Sequence, residues 1–588
     1  MDDREITPMQ QDERGQSPIT QEEWPASRKD SFFGRVWKYR FHYVIVLPAL
    51  LLLILFKAVP FMMTVVTSFQ DFKVLRGIAH SHWVGWSNYR QMFTAPEFHQ
   101  VLANTLIMKL IYTGFCGIAA LVLALSLSMV AGGKLRSALA TLFLIPYFIP
   151  AVIFANMVVI VVSSRTSPIG IHSVPLAHSN LFRGLYVCIE CMKTIGIPVL
   201  IAIGAIGAKH AAGASDPRRH HVSFFRRNVV PAMLAVSAFM LMQLSTLLSN
   251  QFELMYQLIN PIVYQTGDTL ENMQFRSAFM LMDIKASNPV AVFQFIVQFG
   301  CTLLAYYILR ACFARHLFTS HNGSAAAIQA SGSGKSAVGT VVSLLYALAV
   351  VAMLYLLFVY PFTIRHEGPG LSSLVSGSRF VLYLVVYLAA SAVFMLMTLT
   401  LSFPLTVKDL PGRSLYKWFL LAVMSVGSIS FMAYYELHQF RLTNTVFALF
   451  VSGFFSILPV FILKSIYNAR YAALRPRYER RGETYMFFRV YVPAVWKPLL
   501  ALGAMQFTML WNSMYLPLIY MSKPDLMPPI SSFLMAAQQT AGDGKALAYG
   551  PAAMLQFGAL IALPSLLVLL FMRRWLTPEV LTGQVRNL

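Results

Sequence analysis

Charge is what this sequence has least of. Asp, Glu, Lys and Arg make up 12% of its 588 residues, 57% are hydrophobic, and mean hydropathy is +0.61. Water-facing surfaces need polar groups, and so few cannot clothe a soluble globule; the class left is an integral membrane protein. Acidic residues are the scarcer kind, 24 against 46 Lys and Arg, giving a net charge of +22. In a soluble protein that excess would point to nucleic acid. Here basic loops on the cytoplasmic side of a membrane account for it, and no nucleic-acid partner is expected. Cysteine is sparse as well: Cys116, Cys188, Cys191, Cys301 and Cys312 all fall in apolar stretches. The CxxC of Cys188 and Cys191 lies inside a predicted span with no second pair, which favours packing over metal or redox chemistry. His210, His220 and His221 do not make a metal set and read as a solvated loop. No nucleophile–base–acid pattern stands out, so neither an enzyme nor a cofactor in this chain is expected. A cleavable signal peptide is missing too; residues 1–40 read as a disordered cytosolic tail.

Long apolar runs are what the sequence has in quantity. About 20 apolar residues cross a hydrocarbon core of about 30 Å. Twelve stretches qualify: 43–69, 103–131, 137–163, 183–208, 229–250, 289–311, 338–363, 379–403, 415–436, 443–464, 492–514 and 549–572. They are continuous rather than alternating, which selects helices over a barrel. With the N-terminus inside, 30 of the 46 Lys and Arg fall on the cytoplasmic side, and an even number of spans keeps both termini there. Residues 318–337, rich in Ser, Ala and Gly, read as a linker between a first half, 41–317, and a second, 338–588. Gly332-Ser333-Gly334-Lys335-Ser336 imitates a phosphate loop, but Gln329 stands where its first glycine should be and no core strand precedes it. Each half repeats a short pattern after a basic loop: Phe224-Phe225-Arg226-Arg227 before Pro231-Ala232, and Phe487-Phe488-Arg489 before Pro493-Ala494. Such repetition suggests pseudo-twofold symmetry.

At these residues the chain resembles the permease subunits of binding-protein-dependent ABC sugar importers, in particular their polysaccharide branch. The first half carries Leu47-Pro48-Ala49, Trp86-Ser87-Asn88-Tyr89, Phe252-Glu253 and Asn260-Pro261-Ile262-Val263-Tyr264; the second carries Lys408-Asp409-Leu410-Pro411-Gly412-Arg413, Trp511-Asn512 and the tail from Arg573 to Gly583. The resemblance implies an all-α polytopic fold of about twelve transmembrane helices in two six-helix halves of maltose-permease-like type. It implies one sugar or oligosaccharide path through a bacterial plasma membrane and an extracellular solute-binding lipoprotein. Separate ABC ATPase subunits would carry the ATP and Mg. Two departures stand out. Both halves share one chain, and the usual acid that opens the ATPase-docking segment is missing from His210-Ala211-Ala212 and Tyr471-Ala472-Ala473.

A loop that transmits ATPase motion must be a short rigid helix, so loops 209–230 and 470–491 are the candidate docking elements. Their candidate residues are Arg218, Arg219, Phe225, Arg226, Arg227, Arg477, Arg480, Arg481, Gly482, Phe488 and Arg489. Sugars stack on aromatic faces and bond amides or acids. Spans five and eleven offer Asn250, Glu253 and Tyr256, then Trp511, Asn512 and Tyr515, as a candidate path. Ionisable groups within spans default to function. Of these, Glu190 and Lys193 read as an ion pair, Lys109 as interfacial and Lys57 as snorkelling. Two other readings stay open: an ion-coupled secondary transporter, and a non-transporting scaffold or sensor.

Overall fold

The computed structural model describes residues 32–162, 175–214, 223–309, 311, 337–363, 376–427, 429–471, 481–542 and 550–587. Helices dominate; among these residues the one sheet is a two-strand antiparallel ribbon, Gln70–Asp71 with His82–Trp83. Seven helices are long and apolar enough to cross a membrane: Arg40–Ser68, Pro96–Ser128, Phe225–Leu244, Ile284–Ile308, Ala337–Phe358, Gly377–Thr406 and Pro551–Met572. Two bent pairs, Gly133–Phe148 with Ala151–Val162 and Ser179–Thr194 with Gly196–Ala211, raise the number to nine if each is one span.

Three of the twelve predicted spans depart from that measure. The stretch 415–436 is split between Arg413–Ser425 and Phe431–Gln439, and 443–464 between Val446–Ser452 and Leu458–Tyr471. The stretch 492–514 is one helix, Val492–Asn512, diluted by Lys497, Gln506 and Asn512. At the N-terminus, Phe32–Lys38 is helical although the composition reads as a disordered tail; 1–31 and all of the 318–337 linker except Ala337 lie outside the described residues.

Burial follows the logic of a lipid-solvated bundle. On Ala337–Phe358 the buried positions are Gly339, Ser343, Ala347, Val350, Met353 and Leu357, one helical face that opens with small residues. Its outward face is apolar: Leu344, Leu345, Leu348, Val351 and Tyr355 are exposed. One apolar core runs through both halves, from Tyr112 and Phe143 to Tyr491 and Phe557.

Proline shapes the helices at repeated places. π-Helical turns at Ile54–Ala58, Phe225–Val229 and Met486–Tyr491 each stand just ahead of a proline: Pro60, Pro231 and Pro493. A proline inside a helix removes one N–H and its ring presses on the carbonyl four residues back; widening that turn relieves the clash. The repeated pattern thus has one physical outcome twice, a π-turn leading into the helices Val230–Leu244 and Val492–Asn512.

The Trp86-Ser87-Asn88-Tyr89 motif also finds a structural reason. Asn88 Nδ2 donates to the carbonyls of Ser68 and Gln70 at 3.0 and 2.9 Å, and the Tyr89 hydroxyl meets Ser68 Oγ at 2.7 Å. Together they tie off the end of the first span.

Candidate functional site

The site is built where helices break. Helix Gly133–Phe148 ends at Pro146-Tyr147-Phe148-Ile149-Pro150, and the next helix leaves at 91°. Pro150 has no N–H to offer, so carbonyls at the corner need other partners. Lys193 Nζ donates to the Ile149 carbonyl at 2.9 Å and the Tyr147 carbonyl at 3.2 Å. Asn512, from the second half, donates to the Phe148 carbonyl at 3.1 Å and accepts from Ser565 Oγ at 2.6 Å. A cation at a helix C-terminus also complements the helix dipole. The expected Glu190–Lys193 ion pair is therefore not formed. Lys193 is taken by two carbonyls, while both Glu190 carboxylate oxygens are buried without a hydrogen bond. Lys109 is no interfacial residue either; it is 1% exposed, beside the Tyr112 ring.

The two helices that follow the repeated π-turns also break. Val230–Leu244 gives way to Phe252–Leu258, and Val492–Asn512 to Tyr515–Tyr520. Glu253 joins the two breaks. Its Oε1 accepts from Ser513 Oγ at 2.8 Å, the Met514 N–H at 2.8 Å and the Tyr515 N–H at 3.1 Å. A first-half carboxylate thus caps the start of a second-half helix, where free N–H groups favour negative charge.

Between these corners lies a cavity of about 380 Å³. Of the candidate path residues, Asn250, Glu253, Asn512 and Tyr515 line it. Tyr256 and Trp511 do not. The Tyr256 ring packs on Phe252 and Phe275. Trp511 is 2% exposed, stacks on Phe507 and donates its indole N–H to the Ile561 carbonyl at 2.8 Å. Lys57, expected to snorkel, instead faces this cavity and a smaller neighbour that holds Glu436. Sequence reasoning missed Lys193, Glu271 and Arg586 as further lining groups. Charged residues in or beside apolar runs were the available signal.

On the two candidate docking loops, Phe225, Arg226, Arg227, Arg481, Gly482, Phe488 and Arg489 are all exposed. Arg218, Arg219, Arg477 and Arg480 lie outside the described residues. Gly482 sits at φ 86, a left-handed turn that favours glycine. Arg481 Nη1 donates to the Tyr485 hydroxyl at 2.9 Å. His210, expected to be solvated, is 4% exposed and bonds Asn228 Oδ1 at 2.7 Å, holding the Phe225–Val229 π-turn to the preceding helix. The second loop is anchored by Glu483, 2.9 Å from Nε2 of the fully buried His42, whose ring stacks on Phe403.

No family model matches the chain. It is 25% identical over 278 residues to the polygalacturonan/rhamnogalacturonan transport system permease protein YteP of Bacillus subtilis (strain 168), spanning 45% of this chain and 86% of that protein. Protein LplB of the same organism is 22% identical over 297 residues, spanning 48% of this chain and 93% of that protein. A solved bacterial ABC transporter involved in the import of the acidic polysaccharide alginate aligns with 20% identity and a TM-score of 0.40, covering 48% of this chain and 99% of that one. The chain is a membrane protein that resembles a bacterial transport system permease protein over most of that protein's length, and at about twice that length it has room for two such units.

Proposed function

We propose that this chain is the fused permease of an ATP-driven ABC importer that moves a sugar or oligosaccharide into the cell. The observation that carries the reading is the pair of broken helices after the repeated π-turns, one from each half, that meet at a single cavity. Broken helices around a central site are the usual way a membrane protein exposes backbone and side-chain polar groups to a cargo. Residues 41–317 and 338–588 act as two permease halves, and 318–337 links them. Both termini face the cytoplasm of a bacterial plasma membrane.

The chain supplies the path and no chemistry of its own. Separate ATPase subunits hydrolyse ATP with Mg, and an extracellular solute-binding lipoprotein delivers the cargo. The ATPases dock on loops 209–230 and 470–491. Exposed Phe225 and Phe488 fit apolar clefts, while Arg226, Arg227, Arg481 and Arg489 face acidic side chains across the interface. The missing acid in each loop leaves the docking surface basic. Each loop is tied to the bundle, by His210–Asn228 in one half and His42–Glu483 in the other, so a push on the loop reaches the spans.

The test is the double variant Arg226→Glu, Arg489→Glu. It is expected to insert in the membrane at wild-type levels, to lose co-purification with an ATPase subunit and to abolish saccharide uptake. Full uptake by the double variant would remove the docking assignment.

A further inference from the structure

The segment after the Pro551–Met572 helix turns back into the bundle. Trp575 packs on Trp496, near the start of Val492–Asn512 where the second docking loop ends. Thr577 caps the short helix Pro578–Thr582, and Val580, Leu581 and Val585 are fully buried. The segment touches both halves in turn. Pro578 packs so closely on Gly204 that no Cβ would fit between them, and a Cβ on Gly583 would meet Ile462 and Leu502 at 3.2 and 3.3 Å. Gln584 accepts from the Tyr147 hydroxyl at 3.0 Å, and the Val585 carbonyl from Gln243 Nε2 at 2.8 Å. By the helical rise, Gln243 stands about 20 Å beyond the start of Val230–Leu244, so residue 585 lies deep between the spans.

Arg586 completes the insertion by lining the cavity itself. Its guanidinium donates to Thr302 Oγ1 at 3.3 Å in the first half and to the Met424 carbonyl at 2.9 Å in the second. Among the described residues it pairs with no carboxylate. Glu253 and Glu271 line the same cavity, but Glu253 accepts from 513–515 and Glu271 from Ser249. A charge without a counter-ion is costly at that depth. A permanent strut would hold better with an apolar side chain there. For a segment that must leave, the charge helps, because hydration of Arg586 outside the bundle offsets the bonds lost on withdrawal.

We propose that residues 583–586 are a plug that closes the seam between the halves at the docking-loop end of the cavity, and that they withdraw to let cargo through. The inference rests on the reading of the chain as a saccharide permease and adds the gate of its path.

The experiment fixes the plug in place. In the full chain with its partner subunits, Gly583→Cys and Leu502→Cys are oxidised to a disulfide, and protection of both thiols from alkylation confirms the bond. Import is compared before and after reduction, so the cost of the substitutions cancels. Oxidation is expected to lower saccharide import by about tenfold or more, and reduction to restore it, since the bond holds the closed state. A second measurement needs no cargo. Met509→Cys places a thiol on the cavity wall, and a membrane-impermeant thiol reagent is applied to inside-out vesicles. The variant Gln243→Ala, Gln584→Ala, Arg586→Ala removes all four hydrogen bonds of the plug and is expected to raise labelling by about tenfold or more. Full import by the oxidised pair, or labelling unchanged in the triple variant, overturns the plug and leaves the permease reading standing. Raised labelling together with no saccharide import by wild type supports the plug and overturns the saccharide reading.

Discussion

Removing the Glu253 carboxylate tests whether the halves are joined as described. Its Oε1 accepts one hydroxyl and two backbone N–H bonds from 513–515, and Met514 is fully buried while Tyr515 is nearly so. Hydrogen bonds to a charged group are worth roughly 1.5–3 kcal/mol each, and donors at a helix start recover part of that from other acceptors. Glu253→Ala is therefore expected to cost about 3–5 kcal/mol. Glu253→Gln keeps an acceptor oxygen in place with roughly half the bond strength and removes a desolvated charge, so about 1–2 kcal/mol is expected. A double-mutant cycle isolates the cross-half bond. Ser513→Ala is expected to cost about 1–2 kcal/mol in wild type and close to nothing in the Glu253→Ala background. The readout is unfolding in mild detergent, followed by heat or denaturant. Additive costs in the cycle, or equal stability of the Ala and Gln variants, would refute the account of Glu253 as the cap that joins the two breaks.

Three further outcomes are expected. Gly196→Ala places a Cβ 2.1 Å from the Phe143 carbonyl oxygen, a backbone atom that cannot swing aside, so a loss of about 1–3 kcal/mol or a failure to accumulate in the membrane is expected. Gly300→Ala, with open space at its Cβ, serves as the control and is expected to match wild type. Lys193→Met strips both carbonyls at the 91° corner of their donor and is expected to lower thermal stability by about 2–4 kcal/mol; an unchanged melting temperature would show that the corner does not need it. Cutting the chain within 318–337 and expressing both pieces together is expected to give two polypeptides that co-purify and restore uptake, whereas separation on purification would count against two docked halves.

Much of the fold could be read from residues alone, because lipid as a solvent leaves a coarse mark. Length and apolarity mark the spans, and the repeated aromatic–Arg–Pro pattern marks the π-turns Phe225–Val229 and Met486–Tyr491. The broken spans were harder. Pro146 and Pro150 bracket the 148/151 corner and were the visible sign of it, yet the apolar run between 137 and 163 reads as one helix. Polar partners were least legible. Lys193 lies three residues from Glu190, a spacing that favours pairing on one helix, but the freed carbonyls of another helix outcompete that acid. Trp511 read as a stacking platform; its N–H is used inside the bundle at Ile561. Both outcomes depend on which helices become neighbours, and nothing local in the sequence encodes that.

The tail leaves a mark on biogenesis. Gln584 accepts from the Tyr147 hydroxyl at 3.0 Å, and the Val585 carbonyl accepts from Gln243 Nε2 at 2.8 Å. Buried Gln243 waits 342 positions for its acceptor. The first half therefore leaves the ribosome with an interior amide unfilled and stays incomplete through the whole synthesis of the second. Nascent chains stalled ahead of residue 584 should expose that seam to proteases or chaperones, and synthesis past residue 585 should close it.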